Sequence, residues 1–164
     1  MLTAPKIVEY PERHYVAVAS PVRMADMQDV APRLIGEIWG WVQEKGLTPT
    51  GMTIIRYKVI DMAGEMQLEF GVTVDRPARG DGRAIASSLP AGRYAEIVHT
   101  GPFDTLHDAN AALVGWTQER GLAWDYEKKP DGDHFAARYE NYVTDPAAEP
   151  DPQKWVTEIA IKLR

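Results

Sequence analysis

The sequence contains no cysteine among its 164 residues. This absence excludes a disulfide scaffold, a thiolate nucleophile and a cysteine metal site, and it is consistent with a cytoplasmic protein. The four histidines lack metal-ligand spacing, and no HExxH motif is present. No phosphate loop, dinucleotide fingerprint or G-x-S-x-G motif occurs either. We therefore expect neither a metal nor a cofactor, and any catalysis would depend on carboxylates, tyrosines or His99.

Long apolar runs and basic clusters are also missing. No apolar stretch approaches the roughly 20 residues that span a bilayer, so we expect no membrane association. The net charge is −6, and the longest basic run is Lys128-Lys129. Because phosphate binding requires a clustered face of Lys and Arg, direct nucleic-acid binding is not expected. With 45% hydrophobic and 26% charged residues, the composition is typical of one globular domain.

An internal repeat is the most informative feature of the chain. Residues 40–47 (GWVQEKGL) return as 115–122 (GWTQERGL), identical at six of eight positions and offset by 75. Arg56-Tyr57 recurs as Arg138-Tyr139, and Glu69 with its apolar alternation recurs around Glu158. Two copies of this length indicate a duplicated half-domain rather than a solenoid. The seam between such halves is a favoured place for a ligand cleft.

The pattern within each copy predicts strand, helix, strand and strand. The first helix begins near residues 29–31, because Pro32 is favoured in a first turn, and Asp104 caps the second. We predict an α+β fold of duplicated β-α-β-β halves, with two long helices on one face of a single antiparallel sheet. The halves are residues 1–76 and 84–164, joined by the turn-rich segment 77–83.

Glu140 is the main candidate for function. It lies inside a predicted strand, in phase with Arg138 and Tyr142 and opposite to Tyr139, and Lys58 occupies the matching place in the first half. A carboxylate surrounded by rings is costly to bury unless a positive charge meets it, and it can bind a lipophilic cation through charge and cation–π contact. Alternatively, Glu140 is a surface carboxylate or is paired with Arg138 or Lys58.

The sequence has five tryptophans. Trp41 and Trp116 are equivalent in the repeat and lie on the apolar stripes of the helices, which favours a core position. Trp39 lies on another side of the first helix. Trp155 opens the last strand after a proline-rich connection, so it either caps the core or lines a ligand cleft, with the stiff connection as a rim.

The chain resembles the GyrI-like family, whose small-molecule-binding module is also the effector domain of multidrug-sensing transcription regulators. The resemblance extends over nearly the whole chain, and its most specific part is the C-terminal stretch. It depends on four segments: residues 90–95 (PAGRYA), 101–103 (GPF), 138–142 (RYENY) and 149–161 (EPDPQKWVTEIAI).

This resemblance implies a pseudo-twofold SHS2-type fold with a cleft between the halves, on the sheet face away from the helices. It also implies that Glu140 is the pocket glutamate, that Trp155 is the aromatic residue that packs on ligands, and that His99 lies nearby. The neighbourhood of the strands adds four further candidate ligand-binding residues, namely Tyr94, Tyr142, Tyr57 and Trp39.

Three functions are compatible with the resemblance. The first is the binding or sequestration of hydrophobic compounds, including cationic ones. The second is the hydrolysis of cyclopropane-containing DNA-alkylating toxins, with Glu140 as the catalytic residue and Tyr142 assisting. The third is protein binding of the DNA gyrase inhibitor type. Regulators of the family carry an attached DNA-binding domain, whereas the first predicted strand here begins at Ile7. We therefore expect that the chain is not itself a transcription factor, although a separate regulator remains a possible partner.

Overall fold

The computed structural model describes residues 1–61 and 63–164. Two α-helices and a large antiparallel sheet form this part of the chain, and short 3-10 turns precede both helices and the last strand. The elements are β1 (Lys6–Tyr10), β2 (Arg13–Val22), α1 (Met27–Glu44), β3 (Pro49–Ile60), β4 (Met66–Val74), β5 (Ile85–Leu89), β6 (Gly92–Thr100), α2 (Leu106–Glu119), β7 (Tyr126–Lys129), β8 (Gly132–Phe135), β9 (Arg138–Tyr142) and β10 (Val156–Lys162).

The strand order confirms the predicted duplicated α+β architecture. The sheet runs β1-β6-β10-β9-β3-β4-β2-β5, and β7 and β8 form a hairpin attached to β3. One half contributes β2, α1, β3 and β4, and the other contributes β6, α2, β9 and β10. The halves meet where β3 pairs with β9, with Ile55 opposite Glu140. Pairing outward from this point follows the same order on both sides, which gives the pseudo-twofold symmetry.

The sheet curls because strands at its opposite edges are joined by very short connections. β1 lies at one edge and leads into β2 near the other edge through Pro11 and Glu12 alone. β5 at that second edge leads back to β6 through Pro90 and Ala91. These connections bring the edges together, so one side of the sheet becomes concave.

The two faces of the sheet have different contents. On the helix face, Ile55 and Phe70 pack under α1, and Ile97 and Ile159 pack under α2. The concave face is filled by a second buried cluster that includes Tyr15, Tyr94 and Tyr139. Alternation along each strand therefore assigns its side chains to one of these two faces.

Several local predictions were wrong. α1 begins at Met27, so Pro32 lies inside the helix and costs one exposed backbone hydrogen bond rather than marking the first turn. Asp104 lies in a 3-10 turn, and the residue at the cap position of α2 is Thr105, which makes no side-chain cap bond. The predicted strand–helix–strand–strand pattern also lacks strand β7, which is short and highly charged and contains Lys128 and Lys129.

The register also corrects the alignment of the repeat. The match of Arg56-Tyr57 to Arg138-Tyr139 puts Lys58 in the place of Glu140, but Arg56 faces the concave side while Arg138 shares the helix face with Glu140. In the structure Ile55 corresponds to Glu140, and Tyr57 corresponds to Tyr142. A two-residue identity could not reveal this shift, which reverses the face of each side chain.

Candidate functional site

The centre of the sheet lies between the two helices, and we call this strip of the helix face the groove. Helix α1 packs on β2 and β4 and helix α2 packs on β6, so β3 and β9 lie between them. Tyr57, Glu140 and Tyr142 form the floor of this groove. Glu140 pairs with Ile55 and Ile159, which both pack under the helices, so it lies on the helix face and not on the opposite face where the cleft was expected.

Glu140 accepts hydrogen bonds from three neutral side chains. The hydroxyls of Tyr57 and Tyr142 donate to the same oxygen, Oε1, at 2.5 and 2.9 Å. The amide of Asn110 on α2 approaches Oε2 at 3.4 Å, which is a weak contact. Only 4% of the surface of Glu140 is exposed. The carboxyl group is therefore held from both halves of the molecule.

Both phenols are set up to act as donors. Burial raises the pKa of Tyr57 well above the ordinary value, and the charge and hydrogen bond of Glu140 raise it further. Burial also raises the pKa of Tyr142 well above that value, followed by the charges of Glu140 and Tyr57. Both side chains thus keep their protons at neutral pH, so each hydroxyl can donate to the carboxylate.

No cationic side chain pairs with Glu140 among the residues that the structure describes. Burial lowers the pKa of Lys58, and the charges that act on this amine are those of Arg56 and Glu69 on the concave side. Lys58 is therefore not the partner of Glu140. The groove contains a buried carboxylate whose hydrogen-bond donors are all neutral.

Aromatic rings form a rim at one end of the groove. The ring of Tyr142 lies 5.5 Å from that of Phe103, and Phe103 lies 4.7 Å from Trp155. Trp155 is fixed in place, since its indole donates to the Glu149 carbonyl at 2.8 Å. The proline-rich connection between β9 and β10 thereby holds this tryptophan beside the start of α2.

His99 lies on the same face of the sheet as Glu140 but is hydrogen-bonded to Thr105. Its Nε2 is 2.7 Å from the Thr105 hydroxyl, whereas its buried Nδ1 contacts no described partner. Burial lowers the pKa of His99, and the charge of Glu140 acts in the opposite direction. This residue is therefore a neighbour of the site rather than a direct contact of Glu140.

Two sequence candidates lie apart from Glu140. The Trp39 indole on α1 donates to Thr53 at 3.2 Å, on the same face of β3 as Tyr57. Tyr94 is fully buried on the concave face, where its hydroxyl donates to the Pro90 carbonyl at 2.7 Å. The structure thus brings Tyr57, Glu140 and Tyr142 together, with Trp155 at the rim, and separates Tyr94 from them.

Two surface pockets lie elsewhere. One of about 340 Å³ adjoins Trp41 on α1, and one of about 390 Å³ adjoins Trp116 on α2. They occupy equivalent places in the two halves, and neither is lined by Glu140. Within residues 1–61 and 63–164, no group of His, Asp and Glu side chains could hold a metal ion, and no helix is long and apolar enough to cross a membrane.

The model of the GyrI-like small molecule binding domain matches residues 3–164. The chain belongs to the GyrI-like family. A search of curated protein sequences returns no significant match. The confirmed family membership makes small-molecule binding the general role of this GyrI-like domain.

Several solved structures share the GyrI-like fold. The C-terminal domain of EcmrR is 22% identical with a TM-score of 0.74, covering 98% of this chain and 96% of that domain. The EcmrR chain in an EcmrR–DNA complex is also 22% identical, with a TM-score of 0.78 and coverage of 99% of this chain. The present chain spans 57% of that longer chain.

Two further structures are more distant. SAV2435 bound to tetraphenylphosphonium is 11% identical, with a TM-score of 0.64 and coverage of 99% of this chain and 94% of that one. A hydrolase encoded by lin2189 from Listeria innocua is 13% identical, with a TM-score of 0.57 and coverage of 98% and 91%. At these identities the similarity shows the shared fold alone.

Sequence reasoning missed three residues at the site of this GyrI-like domain. Asn110 could have been recognised from the sequence. It lies in the middle of a helix beside the buried Ala109, where an asparagine is unfavourable unless its side chain has a hydrogen-bond partner. Phe103 was noted only as part of a family motif. Arg138 was considered as a partner of Glu140, but its own role was not.

Proposed function

We propose that this GyrI-like domain binds hydrophobic cations in the groove between α1 and α2, with Glu140 as the anionic contact. The observation that carries the proposal is a carboxylate, 4% exposed, whose hydrogen-bond donors are all neutral. A buried charge without an opposite charge is unfavourable. A cationic ligand brings an opposite charge into contact with this carboxylate, and that attraction favours its binding.

The rings around Glu140 suit the same class of ligand. Tyr57 and Tyr142 flank the carboxylate, and Phe103 and Trp155 extend the aromatic surface to the rim. A lipophilic cation gains cation–π attraction from such rings in addition to the charge of the carboxylate. The structure of SAV2435 with tetraphenylphosphonium, a hydrophobic cation, supports this choice of ligand within the same fold.

The ligand must move side chains to reach the carboxylate. Glu140 is buried, while Tyr57 and Tyr142 are each partly exposed above it. Rotation of the two phenols opens a path without breaking backbone pairing, because both side chains project from strands into the groove. Binding of this kind selects ligands by charge and ring content more than by a fixed outline.

The proposal is tested by titrating the protein with tetraphenylphosphonium in a calorimeter. We expect saturable binding to the wild type and at least roughly tenfold weaker binding to Glu140→Gln, since the buried charge is lost. Glu158→Gln is the matched control, because Glu158 lies on the neighbouring strand, faces the concave side and is bonded by Asn141. Equal affinity of Glu140→Gln and the wild type would contradict the proposal.

A hydrolase is the second candidate. The observation in its favour is the contact of a protonated phenol, Tyr142, with a buried carboxylate, Glu140, which is an arrangement used for proton transfer. In the ring-opening of a cyclopropane, water adds across one ring bond, its hydroxyl going to one carbon and its proton to the other. Mass spectrometry after incubation with such a toxin decides between the two: the binder returns the ligand intact, whereas the enzyme returns a product heavier by one water.

A further inference from the structure

Arg138 lies in the same groove, and its side chain has no hydrogen-bond or ion-pair partner among residues 1–61 and 63–164. It lies two residues before Glu140 on β9 and on the same face of the sheet, at a Cα separation of about 6.5 Å by strand geometry. It is partly exposed, and its guanidinium makes no hydrogen bond or ion pair with the residues that the structure describes. Its one aromatic contact is the Phe135 ring, 5.0 Å from Cζ.

Arg56 and Arg13 on the concave face each make side-chain contacts, although Nε of both and one further nitrogen of Arg13 are buried without a described partner. Arg56 donates to Tyr15 and to the carbonyls of Ser88 and Ala136. Arg13 donates to Tyr139 and lies 4.1 Å above the ring of Tyr10. Both side chains therefore have structural contacts that explain their presence. In the described residues, no hydrogen bond holds the guanidinium of Arg138 in this way.

Arg138 also forms no direct ion pair with Glu140 in the part of the chain that the structure describes. The two side chains leave the same strand side by side, and the carboxylate oxygens are already occupied by Tyr57, Tyr142 and Asn110. Burial lowers the pKa of Arg138, and the negative charges of Glu140 and Asp133 act in the opposite direction. Arginine nevertheless remains charged at neutral pH. The groove thus presents one anion and, beside it, one cation with free donors.

We propose that this domain prefers amphoteric aromatic ligands, in which a cationic group meets Glu140 and a carboxylate is bound by the guanidinium of Arg138. This inference rests on the function proposed above and specifies its ligand class. The two ligand groups must lie close together on one molecule, because Glu140 and Arg138 leave the same face of β9 two residues apart. A planar guanidinium matches a carboxylate with two parallel hydrogen bonds, which a simple hydrophobic cation cannot use.

Two dyes that differ in a single ester test this inference. Rhodamine 19 carries a xanthylium cation and a free carboxylate, and rhodamine 6G is its ethyl ester and lacks the anionic group. Fluorescence anisotropy gives the Kd of each dye for the wild type, Arg138→Met and Arg138→Lys. Methionine keeps much of the packing of the side chain over Phe135 and removes the charge, and thermal melting of each variant reports whether it is folded.

We expect the wild type to bind the acid about tenfold more tightly than the ester, the gain of one charged hydrogen-bonded contact. Arg138→Met loses that preference through weaker binding of the acid, while the ester, which offers the guanidinium no carboxylate, binds at least as tightly as to the wild type. Arg138→Lys gives an intermediate preference, since it keeps the charge without the paired donors. If Arg138→Met does not fold, the preference of the wild type and the result for Arg138→Lys decide.

Equal affinity of the wild type for both dyes, preference for the ester, or an unchanged preference in Arg138→Met overturns the inference. The proposed function survives each of these results provided that the ester binds and Glu140→Gln weakens its binding. If neither dye nor tetraphenylphosphonium binds the wild type, the proposed function fails and the inference fails with it.

Discussion

Tyr57 and Tyr142 donate to the same oxygen of Glu140 from the two halves of the molecule, at 2.5 and 2.9 Å. The register of the sheet makes them equivalent, because Ile55 pairs with Glu140 and each tyrosine follows two residues later on its strand. The duplicated halves therefore supply a symmetric pair of phenols to a carboxylate that occurs in one half alone.

This shared oxygen predicts coupling between the phenols. Tyr57→Phe and Tyr142→Phe should each lower the free energy of unfolding by about 1.5 kcal/mol, the contribution of a hydrogen bond to a charged group. The double variant should lose more than the sum, by roughly 1 kcal/mol, because Oε1 is then buried without a donor. Urea denaturation measures all three. Tyr126→Phe is the control, since its hydroxyl contacts no acceptor in the described residues, and strict additivity would contradict the shared contact.

Alkaline pH should destabilise the fold. The pKa is raised above the ordinary 10.0 in six of the seven tyrosines, chiefly by burial, and reaches about 12 for Tyr15 and Tyr139. A phenol that holds its proton more tightly when folded stabilises the native state below its unfolded pKa. That stability is lost as pH rises through the folded pKa.

We therefore expect the free energy of unfolding, measured in urea, to be level near pH 8 and to fall steadily from pH 10.0 towards pH 12. Absorbance at the tyrosinate band should rise together with the loss of structure. If the free energy of unfolding is the same at pH 10.0 as at pH 12, the pKa values of these phenols are not raised by folding as described.

The concave face should control stability without controlling binding. Arg56 donates to the hydroxyl of Tyr15, which in turn donates to Glu69, so the buried arginine and glutamate are linked through one phenol. Arg56→Met leaves Glu69 buried without its cation and should lower the free energy of unfolding by about 3 kcal/mol. Arg56→Met/Glu69→Leu should recover part of this loss. Tetraphenylphosphonium affinity of the folded variants should equal that of the wild type, and a large change would show that the concave face takes part in binding.

Much of this fold was predictable because its signals are periodic. The GWxQExGL repeat gave the two helices and their glycine ends, and alternation around Glu140 correctly placed Arg138 and Tyr142 on its face. Alternation along one strand separates its side chains into two faces but does not show which face packs under the helices. That choice is fixed by pairing with Ile55 and Ile159, which are distant in sequence.

The contacts of Glu140 were predictable only in part. Tyr57 and Tyr142 were candidates by their nearness to the strand, whereas Tyr94 was a candidate on the same grounds and lies on the other face. Asn110 reaches the carboxylate from α2 across the groove. A contact of this kind depends on how the helix sits over the sheet, for which a single sequence holds no direct signal.

The aromatic rim should affect affinity more than stability. Phe103 is 37% exposed and stacks on Trp155, so Phe103→Ala and Trp155→Ala remove surface that a bound ring would cover. Each should weaken tetraphenylphosphonium binding by about tenfold, the loss of one aromatic contact with a cation. Tyr94→Phe is the matched control on the concave face and should leave the affinity unchanged. If calorimetry shows the same change in affinity for all three variants, the placement of the site is contradicted.

The most direct test of Glu140 as the anionic contact is a crystal structure of the protein with tetraphenylphosphonium. We expect the phosphorus atom to lie between α1 and α2, with the phenyl rings against Tyr57 and Tyr142. No protein cation should lie closer to the Glu140 carboxylate than the ligand does. A ligand bound on the concave face, or in the outer pockets beside Trp41 or Trp116, would contradict this expectation.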